Sequence, residues 1–213
     1  MKSKKVVNNL VIYIFILIIV ILLKQLRGYE TSDTILFFSI VKLLETAICI
    51  GTICHFAITI KDRIMNKNVR LYLFNLVTLE ILWVLFRDVK WKVFEYLDNE
   101  ARFMWYLFYI PMLLIPLLCF FLSLHIGKKE DYKINRKWYF LVIPIIVSIV
   151  LVLSNDIHQF VFMFNPNFEN WDNDYKYNIG YYIVIFFSII LVLATIISIK
   201  TPPLHVASFG FVS

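Results

Sequence analysis

Glycine is scarce in this chain, which has only five glycines among 213 residues. A phosphate-binding loop needs several closely spaced glycines, and the sequence contains neither that pattern nor a GxSxG or HExxH motif. These absences argue against an ATP-using enzyme, a serine hydrolase and a zinc peptidase. We therefore expect a protein without catalytic activity of its own.

Cysteine is also rare, and Cys49, Cys54 and Cys119 all lie inside apolar runs without CxxC spacing. Cysteines in such positions usually behave as small buried apolar residues. His158 and Asp156 lie close in sequence, but two ligands fall short of the three or four that a metal site normally uses. The sequence predicts no disulfide framework, no metal site and no cofactor.

Apolar residues, by contrast, make up 61% of the chain, and the mean hydropathy is +0.77. A soluble domain is closer to half apolar, and a membrane-spanning helix needs about 20 mostly apolar residues. We predict an all-α, polytopic membrane helix bundle over residues 1–200, followed by a short tail at 201–213. Six spans are expected, at residues 6–23, 34–60, 71–86, 103–126, 138–153 and 181–199.

The first apolar run, 6–23, has the basic start of a signal peptide. Its long apolar core and the lack of a small-residue cleavage site after it favour a retained span. We expect a multi-pass protein of the bacterial cell membrane.

The basic residues are distributed unevenly between the loops. Thirteen lysines and arginines fall on the face that holds the N-terminus, residues 61–70, residues 127–137 and Lys200, and seven fall on the other face. The positive-inside rule therefore predicts that both termini are cytoplasmic. Topology and contact with anionic lipid explain the net charge of +6 better than nucleic acid does, so the bilayer is the expected partner.

The longest predicted outer loop, 154–180, is acidic and rich in aromatic residues, and begins with SNDIHQFVF. Such a loop suits either contact with an external cation, peptide or sugar, or a cover packed on the helix ends. Polar side chains at its start can cap the end of the preceding helix and meet water. The candidate signal-sensing residues are Asn155, Asp156, His158 and Gln159.

Three charged residues lie inside predicted spans. Lys42 and Glu45 are three residues apart and so share one face of a helix, and Glu80 lies in the third span. Charges within a span are costly and often functional, so these are candidate intramembrane polar residues. The stretch 87–100, with alternating charged and apolar residues, predicts a short helix in the outer interface.

Three stretches resemble, in the same order, the N-terminal seven-helix membrane region of bacterial sensor histidine kinases. They are RFMWYLFYIPMLLIPLLCFFLSL at 102–124, LSNDIHQFVF at 153–162 and YKYNIGYYIVI at 175–185. The basic loop near residues 61–72 adds to the resemblance, which covers roughly residues 40–200. It implies a membrane sensor that controls a cytoplasmic kinase of a two-component system.

The same resemblance implies further membrane helix and kinase modules beyond the sensor, whereas the tail TPPLHVASFGFVS is unlike that continuation. We expect a truncated or free-standing sensor part, with no phosphoacceptor among its four histidines. An external small ligand or peptide and a second copy of the chain are the expected partners. A transporter or permease component is the alternative function, motivated by Lys42, Glu45, Glu80 and the prolines of the predicted spans.

Overall fold

The computed structural model describes residues 14–16, 18–19, 35–92, 98–164 and 175–200. The chain forms two compact units, Met1–Thr59 and Ile60–Ser213. In the first unit, residues 14–16 and 18–19 are helical, and helix α1 (Ile35–Arg63) begins. The rest of the predicted span 6–23, the tail 201–213 and the loop residues 165–174 lie outside the described residues.

The second unit is a helical bundle with a small two-stranded sheet. Its elements in chain order are α2 (Lys67–Lys92), α3 (Asp98–Leu107), α4 (Tyr109–His125), a 3-10 helix (Arg136–Leu141), α5 (Val142–Leu153), α6 (Asn155–His158), β1 (Phe162–Phe164), β2 (Tyr175–Tyr177) and α7 (Ile179–Lys200).

Within the described residues, five helical segments are long and apolar enough to cross a membrane. They are Ile40–Arg63, Lys67–Trp91, Asn99–His125, Arg136–Leu153 and Ile179–Ile199. These segments coincide with the second to sixth predicted spans, and the prediction of an all-α polytopic membrane bundle is confirmed. The third span is longer than the predicted 71–86, because α2 begins about one turn earlier and ends between one and two turns later.

The separate interfacial helix predicted at 87–100 is wrong for residues 87–92, which continue α2. Residues 98–100 instead form the first turn of α3. A helix satisfies its own backbone hydrogen bonds, so it can continue out of an apolar region while its charged side chains reach water.

Two of the three prolines predicted to lie within spans occur near helix starts. Pro111 has no N–H to donate to the carbonyl of Leu107, and this position coincides with the break between α3 and α4 at Phe108. Pro144 lies in the first turn of α5, where a missing N–H leaves no bond unmade. Only Pro116 lies within the body of its helix.

Helix α4 is the centre of the second unit and packs against α2, α5 and α7. Its buried positions Leu113, Leu117 and Phe120 recur at intervals of three and four residues, which places them on one face. Val152 of α5 and Val184 of α7 are also completely buried in this core. The packing of α4 fixes the ends of α5 and α7, between which the two strands lie.

The strands β1 and β2 are antiparallel, with Phe162 opposite Tyr177 and Phe164 opposite Tyr175. The chain then enters α7 through a close approach to the segment before β1. The Gly180 N–H donates to the Phe160 carbonyl at 3.0 Å, and a Cβ on Gly180 would lie 2.7 Å from that oxygen and 2.6 Å from Cδ1 of the Phe160 ring. Only glycine fits this contact without a backbone shift.

We expect Gly180→Ala to lower the free energy of unfolding by about 2 kcal/mol, because the added methyl group meets backbone that cannot move freely. The matched control is Gly51→Ala, at a helical position with nothing within 4 Å of the new Cβ. It should raise stability by up to about 1 kcal/mol. Thermal unfolding in detergent measures both, and equal effects of the two substitutions would contradict the steric argument.

Candidate functional site

The side-chain amide of Asn155 is completely buried and fully hydrogen-bonded. Its Oδ1 accepts from the backbone N–H groups of Val161 and Phe162, both at 2.9 Å. Its Nδ2 donates to the Phe162 carbonyl at 3.0 Å and to the Tyr106 hydroxyl at 3.3 Å. Asn155 thus bonds to Phe162 as a neighbouring strand would, and it fixes the path of the chain into β1.

Asp156 connects the same segment to α3. Its Oδ2 accepts from Arg102 Nη2 at 3.1 Å, and its Oδ1 accepts from the Tyr106 hydroxyl at 2.6 Å. Arg102 is buried, whereas about half of the Asp156 side chain is exposed. The Arg102 guanidinium also donates to Asn99 and lies over the ring of Phe164, 5.2 Å from its centroid. The carboxylate is therefore held on one side and open to solvent on the other.

His158 completes a local bridge at the end of α6. The Ser154 hydroxyl donates to the Val150 carbonyl at 2.7 Å, so its oxygen is available to accept from His158 Nε2 at 3.1 Å. The other ring nitrogen, Nδ1, accepts from the Phe160 N–H at 2.9 Å. This pattern assigns the neutral tautomer with the proton on Nε2.

Gln159 turns the chain between α6 and β1. Its backbone adopts the left-handed conformation, with φ 47°, which costs a residue with a Cβ roughly 1–2 kcal/mol. The turn is held from both sides, since the Gln159 carbonyl accepts from Asn178 Nδ2 at 3.0 Å and its Oε1 accepts from the Phe164 N–H at 3.4 Å.

The segment 154–162 is also bonded directly to the start of α7. The Asn178 N–H donates to the Val161 carbonyl at 3.0 Å, alongside the bond from Gly180 to Phe160 and that from the Asn178 side chain to Gln159. The Asn178 Oδ1 in turn accepts from the Ile179 N–H at 2.7 Å. Four successive residues, 159–162, thus link α6 to α7 and β2.

We call the hydrogen bonds of residues 154–162 with α3 and with the start of α7 the network around Asn155. Phe162 is the centre of an aromatic cluster beneath this network. It is completely buried, and its ring lies 4.5 Å from Trp105 and 5.5 Å from Tyr109, centroid to centroid. Tyr181 of α7 packs on it at 5.9 Å and stacks on Tyr177 at 4.0 Å. The rings join α3, α4, the sheet and α7 into one packed end of the second unit.

The structure brings the four predicted sensing residues together with α3, β1 and the start of α7. Of the four, Asn155 has no exposed surface, Gln159 is partly buried, and Asp156 and His158 are exposed. The side chains of Asp156 and His158 are therefore accessible at the protein surface, whereas that of Asn155 is enclosed by its hydrogen-bond partners. Within the described ranges, no group of three His, Cys, Asp or Glu side chains is arranged to hold a metal ion.

The predicted intramembrane polar residues are placed separately from this network. Lys42 and Glu45 lie one turn apart on α1 in the first unit, where Lys42 is partly buried and Glu45 is buried. Glu80 is an exposed residue near the middle of α2 in the second unit.

Sequence reasoning did not assign roles to Arg102, Tyr106, Phe162 and Asn178. Arg102 and Tyr106 are one turn apart and face the same way, which is a helical signal, but their partners lie about 50 residues further along the chain. Asn178 directly precedes α7 and caps its first amide, so its side chain was recognisable as a helix-start signal.

We expect Asn155→Ala to lower the free energy of unfolding by about 3 kcal/mol, because it leaves three buried backbone groups of Val161 and Phe162 without their partner. Asn75→Ala, at an exposed position in the middle of α2, is the control and should have little effect. Thermal unfolding of both variants in detergent provides the comparison. A small effect at Asn155 would show that the amide does not hold β1 in place.

Comparison with known proteins identifies the family. A family model described as the N-terminal 7TM region of histidine kinase matches residues 42–201, about three quarters of the chain. Searches of curated proteins and of solved structures found no match. The matched range includes α2 to α7 and therefore the whole network around Asn155. The chain belongs to the family of N-terminal seven-helix membrane sensor regions of histidine kinases.

Proposed function

We propose that this chain is a signal-sensing input region whose network around Asn155 and Asp156 receives an external signal. The chain itself carries out no catalysis, and its output reaches a kinase in the cytoplasm of a bacterial cell. Residues 154–164 and 175–178 face outward, and the loops at 61–67 and 126–137 face the cytoplasm. The charge bias of the loops supports this orientation.

The observation that carries the proposal is the direct bonding between the exposed polar segment and the start of α7. Gln159, Phe160 and Val161 each offer a carbonyl to Asn178 or Gly180. Helix α7 is 22 residues long, which corresponds to a rise of about 33 Å, and it packs along the central helix α4. A shift in the polar segment therefore changes the position of a helix that reaches the opposite end of the unit.

The half-exposed Asp156 carboxylate is the proposed point of contact with a small ligand or peptide. Its two present partners, Arg102 and Tyr106, both belong to α3. A ligand group that competes for the carboxylate would release α3 from α6, and the signal would enter there. The bilayer is the second partner, and pairing with another copy of the chain would place two such inputs side by side.

Disrupting the network around Asn155 should move the opposite end of α7 relative to the end of α4. Spin labels at Ile126 and Ile199, both exposed near the ends of α4 and α7, report the distance between these ends once the native cysteines are replaced. We expect Arg102→Gln to change that distance by about 1–2 Å or to broaden its distribution, as helix shifts in signalling proteins do. Pulsed electron paramagnetic resonance in nanodiscs makes the measurement.

Lys176→Gln is the control, since it removes one exposed positive charge from β2 at the same end of the molecule. It should leave the distance between the labels unchanged. If Arg102→Gln destabilises the protein but leaves the distance and its spread as in the wild type, the network is structural and does not transmit a signal.

A transporter remains the second candidate, because Glu80 is an exposed carboxyl residue near the middle of a membrane-spanning helix. The two functions differ in what Glu80→Gln does. The sensor proposal predicts that vesicles containing the protein take up labelled amino acids and sugars no faster than empty vesicles, with or without the substitution. Uptake that is present in the wild type and lost in Glu80→Gln would favour the transporter.

A further inference from the structure

At the end of the second unit opposite to Asn155, two loops are joined into one surface. Asn68 Nδ2 donates to the Glu130 carbonyl at 2.8 Å, and Asn66 Nδ2 donates to the Lys128 carbonyl at 3.3 Å. The loops between α1 and α2 and between α4 and α5 thus present their side chains together. We call this the basic surface; its cations are Lys61, Arg63, Lys67, Arg70, Lys128, Lys129, Lys133, Arg136 and Lys137, against Asp62, Glu130 and Asp131.

Most of this positive charge is not neutralised by the chain. Lys67 lies 3.7 Å from Glu130, but both side chains are more than half exposed, so the pair is weak. Lys129, Lys133, Arg136 and Lys137 are all exposed, and in the part of the chain that the structure describes none of the four forms an ion pair.

Apolar side chains are exposed next to these cations. The 3-10 helix is anchored where Trp138 packs on Phe120 and Tyr139 packs on Phe121, with ring centroids 5.1 and 5.5 Å apart. No residue of this helix is buried, and Phe140 is 69% exposed. Met65, in the other loop, is 88% exposed. Cations and large apolar side chains are therefore exposed close to one another at the end of the membrane-spanning helices.

We propose that the basic surface binds the headgroups of anionic phospholipids. The cations match the net negative charge that the phosphate gives an anionic headgroup, and the exposed aromatic rings match the boundary with the acyl chains. An acidic protein segment or a nucleic acid would pair with the cations but would leave Met65 in water. A bilayer covers both kinds of side chain at once.

Spin-labelled lipids test this proposal with the full chain in liposomes. We expect labelled phosphatidylglycerol to be preferred over labelled phosphatidylcholine by roughly fivefold, the effect of about one additional basic residue near a charged membrane. The combined Lys129→Gln, Lys133→Gln and Lys137→Gln variant should lose most of this preference, whereas the matching lysine-to-arginine variant should keep it. Salt at about 1 M should also abolish it, since the screening length is then about 3 Å.

Lys176→Gln, at the other end of the unit, is the control and should keep the full preference. The proposal is overturned if the wild type shows no preference, if the glutamine variant retains it, or if Lys176→Gln loses as much. Loss of the preference on adding inorganic phosphate at constant ionic strength would identify a site for free anions and would also overturn it. None of these outcomes depends on whether the network around Asn155 senses a signal.

Discussion

A buried backbone at the edge of a membrane must find hydrogen-bond partners within the protein, and the side-chain amide of Asn155 meets this requirement. Val161 and Phe162 are completely buried where the chain enters the short strand β1. Without water at hand, each unmade bond would cost on the order of 1–3 kcal/mol. The amide supplies three of the bonds, and the positions of β1, the aromatic cluster and the start of α7 depend on it.

The remaining contacts at this end follow from that constraint. Once Phe162 is fixed, its ring determines where Trp105, Tyr109 and Tyr181 pack. Asp156, the next residue after the amide, is then directed toward Arg102 and Tyr106. The Arg102 side chain of this ion pair is buried and the Asp156 side chain is half exposed, so the carboxylate is a defined point of contact above a rigid cluster.

The membrane architecture could be predicted from the sequence because hydropathy depends only on local composition. The five described spans agree with the predicted ones, while the end of α2 was misplaced, since the charged residues 87–92 remain helical. The sequence also showed that Asn, Asp, His and Gln side chains are grouped at the start of the loop after the fifth span. Its internal organisation was not, because Asn155 and Asp156 contact residues about 50 positions away, and a single sequence does not encode such distances in any local pattern.

The role of Gly180 also could not be predicted from the local sequence. Its place in the stretch YKYNIGYYIVI was recognisable as part of a family resemblance, but the reason for glycine is a contact with the Phe160 backbone. Local chemistry explains a glycine only where the turn itself requires one, and here the requirement comes from a segment 20 residues earlier.

The bonds between residues 159–161 and the start of α7 also determine when this end of the protein is completed during synthesis. Segment 154–162 emerges from the ribosome well before α7, yet the carbonyls of residues 159–161 accept their hydrogen bonds from Asn178 and Gly180. These bonds therefore form only after the chain has been made as far as the start of α7. The bonds of Asn155 and Asp156 to Arg102 and Tyr106 join residues that are made earlier, so the link to α7 is the last part of the network to form.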